Sequence, residues 1–394
     1  MIANYTFDNF IKIDKKLTSY FQKVMTLGHK SETLKLIINQ KDIDEIYQLK
    51  EKALEKNYFS DAKKYFNGKK IVNRDTFNIK FRMKGNQYDH YNSDRFSLRI
   101  FTKDELKNQE AYSIQNPKVR WFLNEWIFHQ ILKINDLPHL KYQFKTVFIN
   151  NKKIGTYAIE QYFSDPEIFK NWFGEPGPIL GFKDNLFYTK KSVKEIDTMS
   201  KKEFKKYDKE SYLNSEIKVF TKKNKQINPL LVSKAVSLLN NFQSKKIRAS
   251  STFNMMKMGK YYALVNLLGA RHSLRWHNVR YYYNPKTNLF EPLGYDSNSG
   301  ELIKLITKDN YLNSSLHKEI MNDSSFIIYY NSELEKLKKI SYLDQFFESY
   351  KNEISKNLKT IHLSDPNYIF ENSFYYKNQE LIVDYLNSKN YLYK

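Results

Sequence analysis

Apolar and polar residues alternate strictly from Phe77 to Lys84. Phe77, Ile79, Phe81 and Met83 fall on one face, and Asn78, Lys80, Arg82 and Lys84 on the other, which predicts a half-buried strand. A loop begins at Gly85-Asn86, and Phe96, Leu98 and Ile100 alternate again as the returning strand. Phe144–Ile149 and Ile154–Tyr162 predict a hairpin around Asn150-Asn151-Lys152. Val279, Tyr281 and Tyr283 lie along one arm of a further hairpin, with Leu289 and Pro292-Leu293 on the other and the turn residues Asn284 to Asn288 between them. Helical spacing takes over elsewhere. Pro117 is placed to open a helix whose apolar face is Phe122, Trp126, Ile127, Ile131 and Leu132. Pro229 opens another, to about Phe242, and Asn254 caps a third that carries Met255, Met258, Tyr262, Val265 and Leu268.

The flanks differ from this middle. Met1 to about Asn57 reads as mainly helical with a strand at Leu34–Ile38, and Ile303 to Asn387 reads as mostly helical. The order of strands, helix, hairpin, helices and final hairpin predicts an α+β fold. Three regions follow: a lead-in over 1–60, a main domain over 61–300, and a helical C-terminal region over 301–394 packed on it.

Composition changes the picture in three ways. With 41% hydrophobic residues, 31 Tyr and 28 Phe in 394 residues, the chain can bury a sizeable core, while 11 Gly and 9 Pro leave no low-complexity linker. The absence of Cys removes disulfides, thiolate metal sites and a Cys nucleophile. No apolar run is long enough to span a bilayer, and the N-terminal stretch lacks the apolar core of a signal peptide. The chain as written therefore reads as cytoplasmic, with the cell envelope as the alternative if an N-terminal anchor has been trimmed.

The net charge of +22 calls for an anionic partner. No helix-turn-helix, zinc-finger or RNP-type pattern accompanies it, so nucleic acid is not expected. Lys and Arg recur from Ile217 to Phe290, a stretch without any Asp or Glu. The hairpin at its end thus sits in a positive field that suits a nucleotide triphosphate. Asn278 and Asp296 stand at nearly equal distances from the hairpin turn, so its open end brings them close. An amide oxygen beside a carboxylate is a hard-oxygen pair suited to Mg²⁺ that also carries phosphates.

The run HSLRWHNVRYYYNPKTNLFEPLGYD (272–296) resembles the C-terminal motif of the CotH kinase-like family, the spore-coat atypical protein kinases. The similarity is greatest to its envelope-associated bacterial branch, with a pattern of roughly H-A-L-x-W-H-N-x-R-F-Y-Y-N-P-x-T. Four stretches upstream match in the same order. They are Phe81 to Asn86 with Asp89-His90 and Arg95 to Arg99; Tyr112 to Pro117 with Arg120 and Asn124-Glu125-Trp126; Gly155 to Phe163; and Gly177-Pro178-Ile179. Together they cover about residues 30 to 300.

The resemblance implies an atypical protein-kinase-like fold that binds ATP and Mg²⁺ and transfers phosphate to a protein or other hydroxyl acceptor. An acidic protein or polymer acceptor suits the charge. The alternative is a non-catalytic kinase-like scaffold that binds a nucleotide or an anionic envelope polymer. Arg95 stands where the family pattern has the phosphate-binding Lys, and Arg82, Lys84 and Arg99 are alternatives on the same pair of strands. Glu160 is placed to hold that cation by a salt bridge. Asn278 and Asp296 are the metal pair. Arg120 reaches the phosphates or pairs with Glu125, and the Asp89-His90 loop covers the site. Trp121, Trp126 and Trp276 read as core anchors. No carboxylate precedes Asn278 until Glu216, so His272 is expected to serve the acceptor hydroxyl as a base or by orienting it, and His277 reads as a buried structural histidine.

Overall fold

A computed structural model describes residues 22–56, 64–85, 88–102, 110–163, 165, 168, 175–184, 187, 195–196, 198–221, 226–303 and 315–392. The first part of the helical lead-in expected from Met1, and Asn86 of the predicted loop, lie outside these residues.

The alternating segments close on themselves. β1 (Thr33–Ile38), β2 (Phe66–Val72), β3 (Asp75–Met83), β4 (Leu98–Thr102), β5 (Ala111–Gln115), β6 (Tyr142–Ile149) and β7 (Lys152–Gln161) form a closed barrel in the order β1-β2-β3-β4-β5-β7-β6. The ring is sealed by parallel pairing of β1 with β6, Leu34 opposite Val147. Alternation decides which residues fill it. Leu36, Ile79, Phe81, Ile100, Ile114 and Val147 point inward and are buried. α1 (Gln40–Lys56) adds Ile46 and Ala53 to that core, as does the turn carrying Tyr91 and Phe96, at the end where β1 and β3 finish and β4 begins. Local pattern in the sequence foresaw five of these strands, β1, β3, β4, β6 and β7, but not closure into a barrel, because closure depends on the non-local β1–β6 pair.

The second half of the chain is a helical layer around a small sheet. α2 (Leu123–Ile134) packs against β6. α3 (Lys201–Leu213), α4 (Pro229–Gln243) and α5 (Met255–Leu268) precede the hairpin β10 (Arg280–Asn284) and β11 (Leu289–Leu293). With β8 (Ile179–Phe182) and β9 (Ile217–Val219) the hairpin makes a four-stranded sheet in the order β11-β10-β8-β9. Asn254 caps its helix as the sequence predicts, accepting from Lys257 N, and Pro229 opens the other, where Asn228 is the cap and accepts from Leu230 N. Pro117 does not open the long helix. It opens a short 3-10 turn, Pro117–Arg120, and Trp121 and Phe122 then take left-handed φ of 50° and 55° before α2 begins. That break leaves Trp121 exposed, whereas Trp126 and Trp276 are buried anchors as expected.

After β11, the secondary structure among the described residues is entirely helical: α6 (Ser315–Met321), α7 (Ser324–Leu337), α8 (Ile340–Ser349), α9 (Lys351–His362) and α10 (Ser373–Leu392). None of the described helices is long and apolar enough to cross a membrane. α7 lies along α5, where Asn266 Nδ2 donates to Tyr330 Oη at 2.7 Å. Gly259 allows this approach: a Cβ there would come within 2.6 Å of Tyr330 N and 2.9 Å of the Tyr329 carbonyl carbon. Alanine normally stabilises a helix interior by about 1 kcal/mol over glycine. Gly259→Ala should reverse that sign, because overpacking against backbone costs about 1–3 kcal/mol. Thermal denaturation checks it; a melting temperature at or above that of the parent would mean that the two helices separate freely.

Candidate phosphate and metal cleft

The outward face of the barrel is charged. Register places Arg82 opposite Arg99 across β3–β4, Arg99 opposite Ser113 across β4–β5, and Ser113 opposite Glu160 across β5–β7. Like charges directly opposite on a sheet repel, so the Arg82–Arg99 pair is costly without an anion nearby. Lys84 follows the end of β3. Its Nζ donates to Glu160 Oε2 at 2.8 Å and Gln115 Oε1 at 2.6 Å, all buried. Burial lowers the Lys84 ammonium to about 8; Glu160 works against that shift, and Arg120 and Arg99 add to it.

The four-stranded sheet brings two more cations. Lys218 pairs in register with Gly181, and Arg280 lies on the other side of that glycine. A Cβ on Gly181 would sit 2.6 Å from Val279 O, 3.1 Å from the Phe220 ring and 3.5 Å from the Arg280 guanidinium. Arg280 is buried over the rings of Phe220 (4.0 Å) and Tyr295 (4.7 Å). Desolvation lowers the Lys218 ammonium to about 8, with Arg280, Arg99 and Arg82 pushing the same way and Asp184 opposing. The two sheets therefore bring their cations into one electrostatic neighbourhood.

Asp296 is the buried carboxylate among these cations. It lies three residues beyond β11 at a left-handed φ of 52°, followed by Asn298 at 46°. Non-glycine residues held there are strained by about 1–3 kcal/mol and persist only when their surroundings fix them. The fixing group is Glu125 of α2, which accepts from Ser297 N at 3.0 Å and Ser297 Oγ at 2.6 Å. Glu125 is fully buried, and desolvation raises its carboxyl to about 7 against the pull of Arg120 and Ser297.

Asp296 Oδ1 stands 3.0 Å from Arg120 Nε and 3.6 Å from His272 Nε2, neither with hydrogen-bond geometry. Burial works to raise the Asp296 carboxyl, but Arg120, then His272 and Lys84, hold it well below the usual carboxylate range. Asn298 Oδ1 in the same loop is also buried without a hydrogen bond.

Lys84, Arg99, Arg120, Glu160, His272 and Asp296 thus meet in one electrostatic cluster, with Arg82 beside Arg99. Asn278 lies two residues before β10 and donates from Nδ2 to the His272 carbonyl at 3.3 Å, at the same open end of the hairpin as Asp296. Arg95 is the exception. The structure places it in the turn before β4, where it makes a bidentate pair with Asp365 (2.6 Å to each oxygen) and donates to Thr156 O at 3.1 Å. It ties the barrel to the C-terminal helices, so the expectation that it faces the phosphates with Glu160 is corrected.

Arg120 pairs with Asp296, which adds a partner to the two alternatives the sequence suggested. Lys218 and Asn298 carry no motif, and Arg280 stands within the 272–296 run, where no role attaches to it; the acid-free stretch that holds Lys218 and Arg280 is the signal they share. His277 is buried and kept neutral chiefly by desolvation, as expected of a structural histidine. Among the described residues no three His, Asp or Glu converge on one point. Compared with known protein families and with curated proteins, the chain matches none.

Proposed function

We propose that the protein binds Mg-ATP in this cleft, as an atypical kinase of the CotH type, and transfers a phosphoryl group to a protein or other hydroxyl acceptor. One observation carries the reading: a buried Lys84–Glu160 ion pair at the end of a strand faces an aspartate set after a hairpin, and five further cations, Arg82, Arg99, Arg120, Lys218 and Arg280, surround them. Phosphoryl transfer is mostly positioning and charge stabilisation, and these are the groups it calls for. Lys84, oriented by Glu160, holds phosphate oxygens. Arg82, Arg99, Lys218 and Arg280 balance the remaining phosphate charge.

Asp296 and Asn278 would hold the magnesium, a role that fits a buried carboxylate oxygen lacking any hydrogen bond. Two protein oxygens suffice, because Mg²⁺ in such sites keeps waters and phosphates as its other ligands. Bound there, the ion neutralises and aligns the phosphates. His272, beside Asp296, accepts or orients the proton of the acceptor hydroxyl.

The Arg120–Asp296 ion pair favours a second reading, a non-catalytic scaffold for a nucleotide or anionic polymer, since Arg120 already neutralises the metal carboxylate. Nucleotide binding and release of labelled phosphate, with and without Mg²⁺, separate the two. Asp296→Asn should weaken Mg-dependent ATP binding at least tenfold and leave the fold intact. Binding that ignores both Mg²⁺ and this substitution would select the scaffold.

A further inference from the structure

The barrel has a second end, opposite the one covered by α1. There β1 and β6 begin, β2 and β7 finish and β5 begins, around a cavity of about 630 Å³. That volume lies within the range that holds one small ligand, and barrel mouths are a common place for such sites. Leu34, the ring of Tyr112 and Ile159 give it an apolar wall.

Lys70 is the unusual resident. Its side chain is only 10% exposed, and its Nζ stands 5.6 Å from the Tyr112 ring centroid and 5.9 Å from that of Phe77. A lysine this buried needs an anion. The partner it has, Glu110, is 51% exposed and comes in from the rim. The cation is thus built into the wall, and the anion that meets it is the replaceable member of the pair. Below, the hydroxyls of Tyr112 and Thr102 are buried without hydrogen-bond partners.

The charges at the mouth set the valence of what fits. Lys70, Lys141 and Lys145 stand at the mouth with Glu32, Glu110 and Asp165, Lys356 reaches Glu32 at 3.8 Å, and Lys35 lies on the outer face, which leaves four cations against three carboxylates. Lys145 is paired with Glu32 at 3.0 Å, and Asp165 accepts from Gln161 at 2.9 Å. One excess positive charge among fixed carboxylates favours a monoanion and repels a polyphosphate. We infer that this mouth is a binding site for a small amphiphilic carboxylate, its head displacing Glu110 from Lys70 and its apolar body lying against Leu34, Tyr112 and Ile159.

The site is separate from the phosphate cleft: it opens from the inner face of the barrel, whereas Arg82, Arg99 and Glu160 project from the outer face. Calorimetric titration of the full chain with sodium decanoate at pH 7.5 tests it, with 1-decanol as the uncharged control. Decanoate should bind at one site and at least tenfold more tightly than decanol. Lys70→Met should remove that preference, and Glu110→Gln should strengthen decanoate binding several-fold, because it deletes the competing carboxylate. The opposite signs of the two substitutions guard against a general loss of structure, and circular dichroism confirms that each variant folds. Saturating Mg-ATP should leave decanoate affinity unchanged. Absence of saturable binding, equal affinity for decanoate and decanol, an unaltered Lys70→Met protein, or competition by Mg-ATP would each overturn the assignment.

Discussion

Lys84→Met should yield a folded protein that has lost nucleotide-dependent transfer, whereas Glu160→Ala should yield one that is poorly folded at neutral pH. The two partners make the same 2.8 Å contact, so the difference comes from their neighbours. Glu160 keeps favourable charge around it when Lys84 is gone, because Arg99 lies in its cross-strand row and Arg120 is coupled to it. Lys84 without Glu160 keeps its bond to Gln115 and the pull of Asp296 but loses its direct counter-ion, while Arg120 and Arg99 repel it. Breaking a buried pair in that direction costs about 3–5 kcal/mol. Loss of one charge-stabilising group at a reacting centre typically lowers the rate about 10²–10³-fold.

Denaturant unfolding and kcat/KM for ATP measure the two effects. The Lys84 ammonium is lowered to about 8 in the folded protein from an ordinary value of 10.5. The folded state therefore binds this proton less tightly than the unfolded chain, and the lysine's contribution to stability improves as pH rises from about 8 toward 10.5. Without Glu160 the Lys84 ammonium is held lower still, so the Glu160→Ala defect should shrink as pH rises toward about 8, where the lysine of the parent also loses its proton. Activity should move the other way, with kcat/KM falling above about pH 8 as the ammonium becomes an amine. A defect of equal size in both variants, or a flat alkaline limb, would remove Lys84 from the phosphate site.

Arg120→Met should be strongly destabilising, and adding Asp296→Asn should recover much of the loss. Alone, it removes the largest of the charges that offset desolvation of the buried Asp296 carboxylate and leaves His272, Lys84 and Arg280 to do so. The expected cost is again about 3–5 kcal/mol, and the double-mutant cycle should show a coupling of at least about 1 kcal/mol between the two positions. The pH dependence carries its own sign. Asp296 titrates lower in the folded state than its usual value of 3.8, so in the parent its stabilising effect is present above that value and lost as pH falls below it. In Arg120→Met the carboxyl loses its main counter-ion and its affinity for a proton rises. That variant should therefore gain stability relative to the parent on acidification. Additive energies in the cycle, with an unchanged acid profile, would reduce the 3.0 Å contact to incidental proximity.

Local pattern carried a good part of this molecule. Strict alternation marked β3 and the hairpin pattern marked β6 and β7, each to within two residues, and Pro229 and Asn254 marked two helix starts, because strands beside a tight turn and the first turn of a helix are decided within a few residues. The hairpin was legible for the same reason, and with it the placement of Asn278 and Asp296 at its open end. The acid-free stretch announced a positive site.

Other features belong to the tertiary structure. β2 and β5 lack clean alternation, and β8 has four residues buried on every side, so no amphipathic signal existed to find. Barrel closure rests on Leu34 meeting Val147, and the cation cleft on Arg82 and Arg99 facing Lys218 and Arg280 from a different sheet. Arg95 shows the limit most plainly. Its motif position marked it as the phosphate-binding cation, yet Asp365, 270 residues away, holds its guanidinium in two hydrogen bonds. Lys84, an alternative on the neighbouring strand, is instead the cation that meets Glu160. Sequence spacing fixes which residue types are available and on which face of an element they stand; which cation meets which carboxylate is settled only when distant segments pack, because Coulomb energy and desolvation depend on distances that the chain order does not contain.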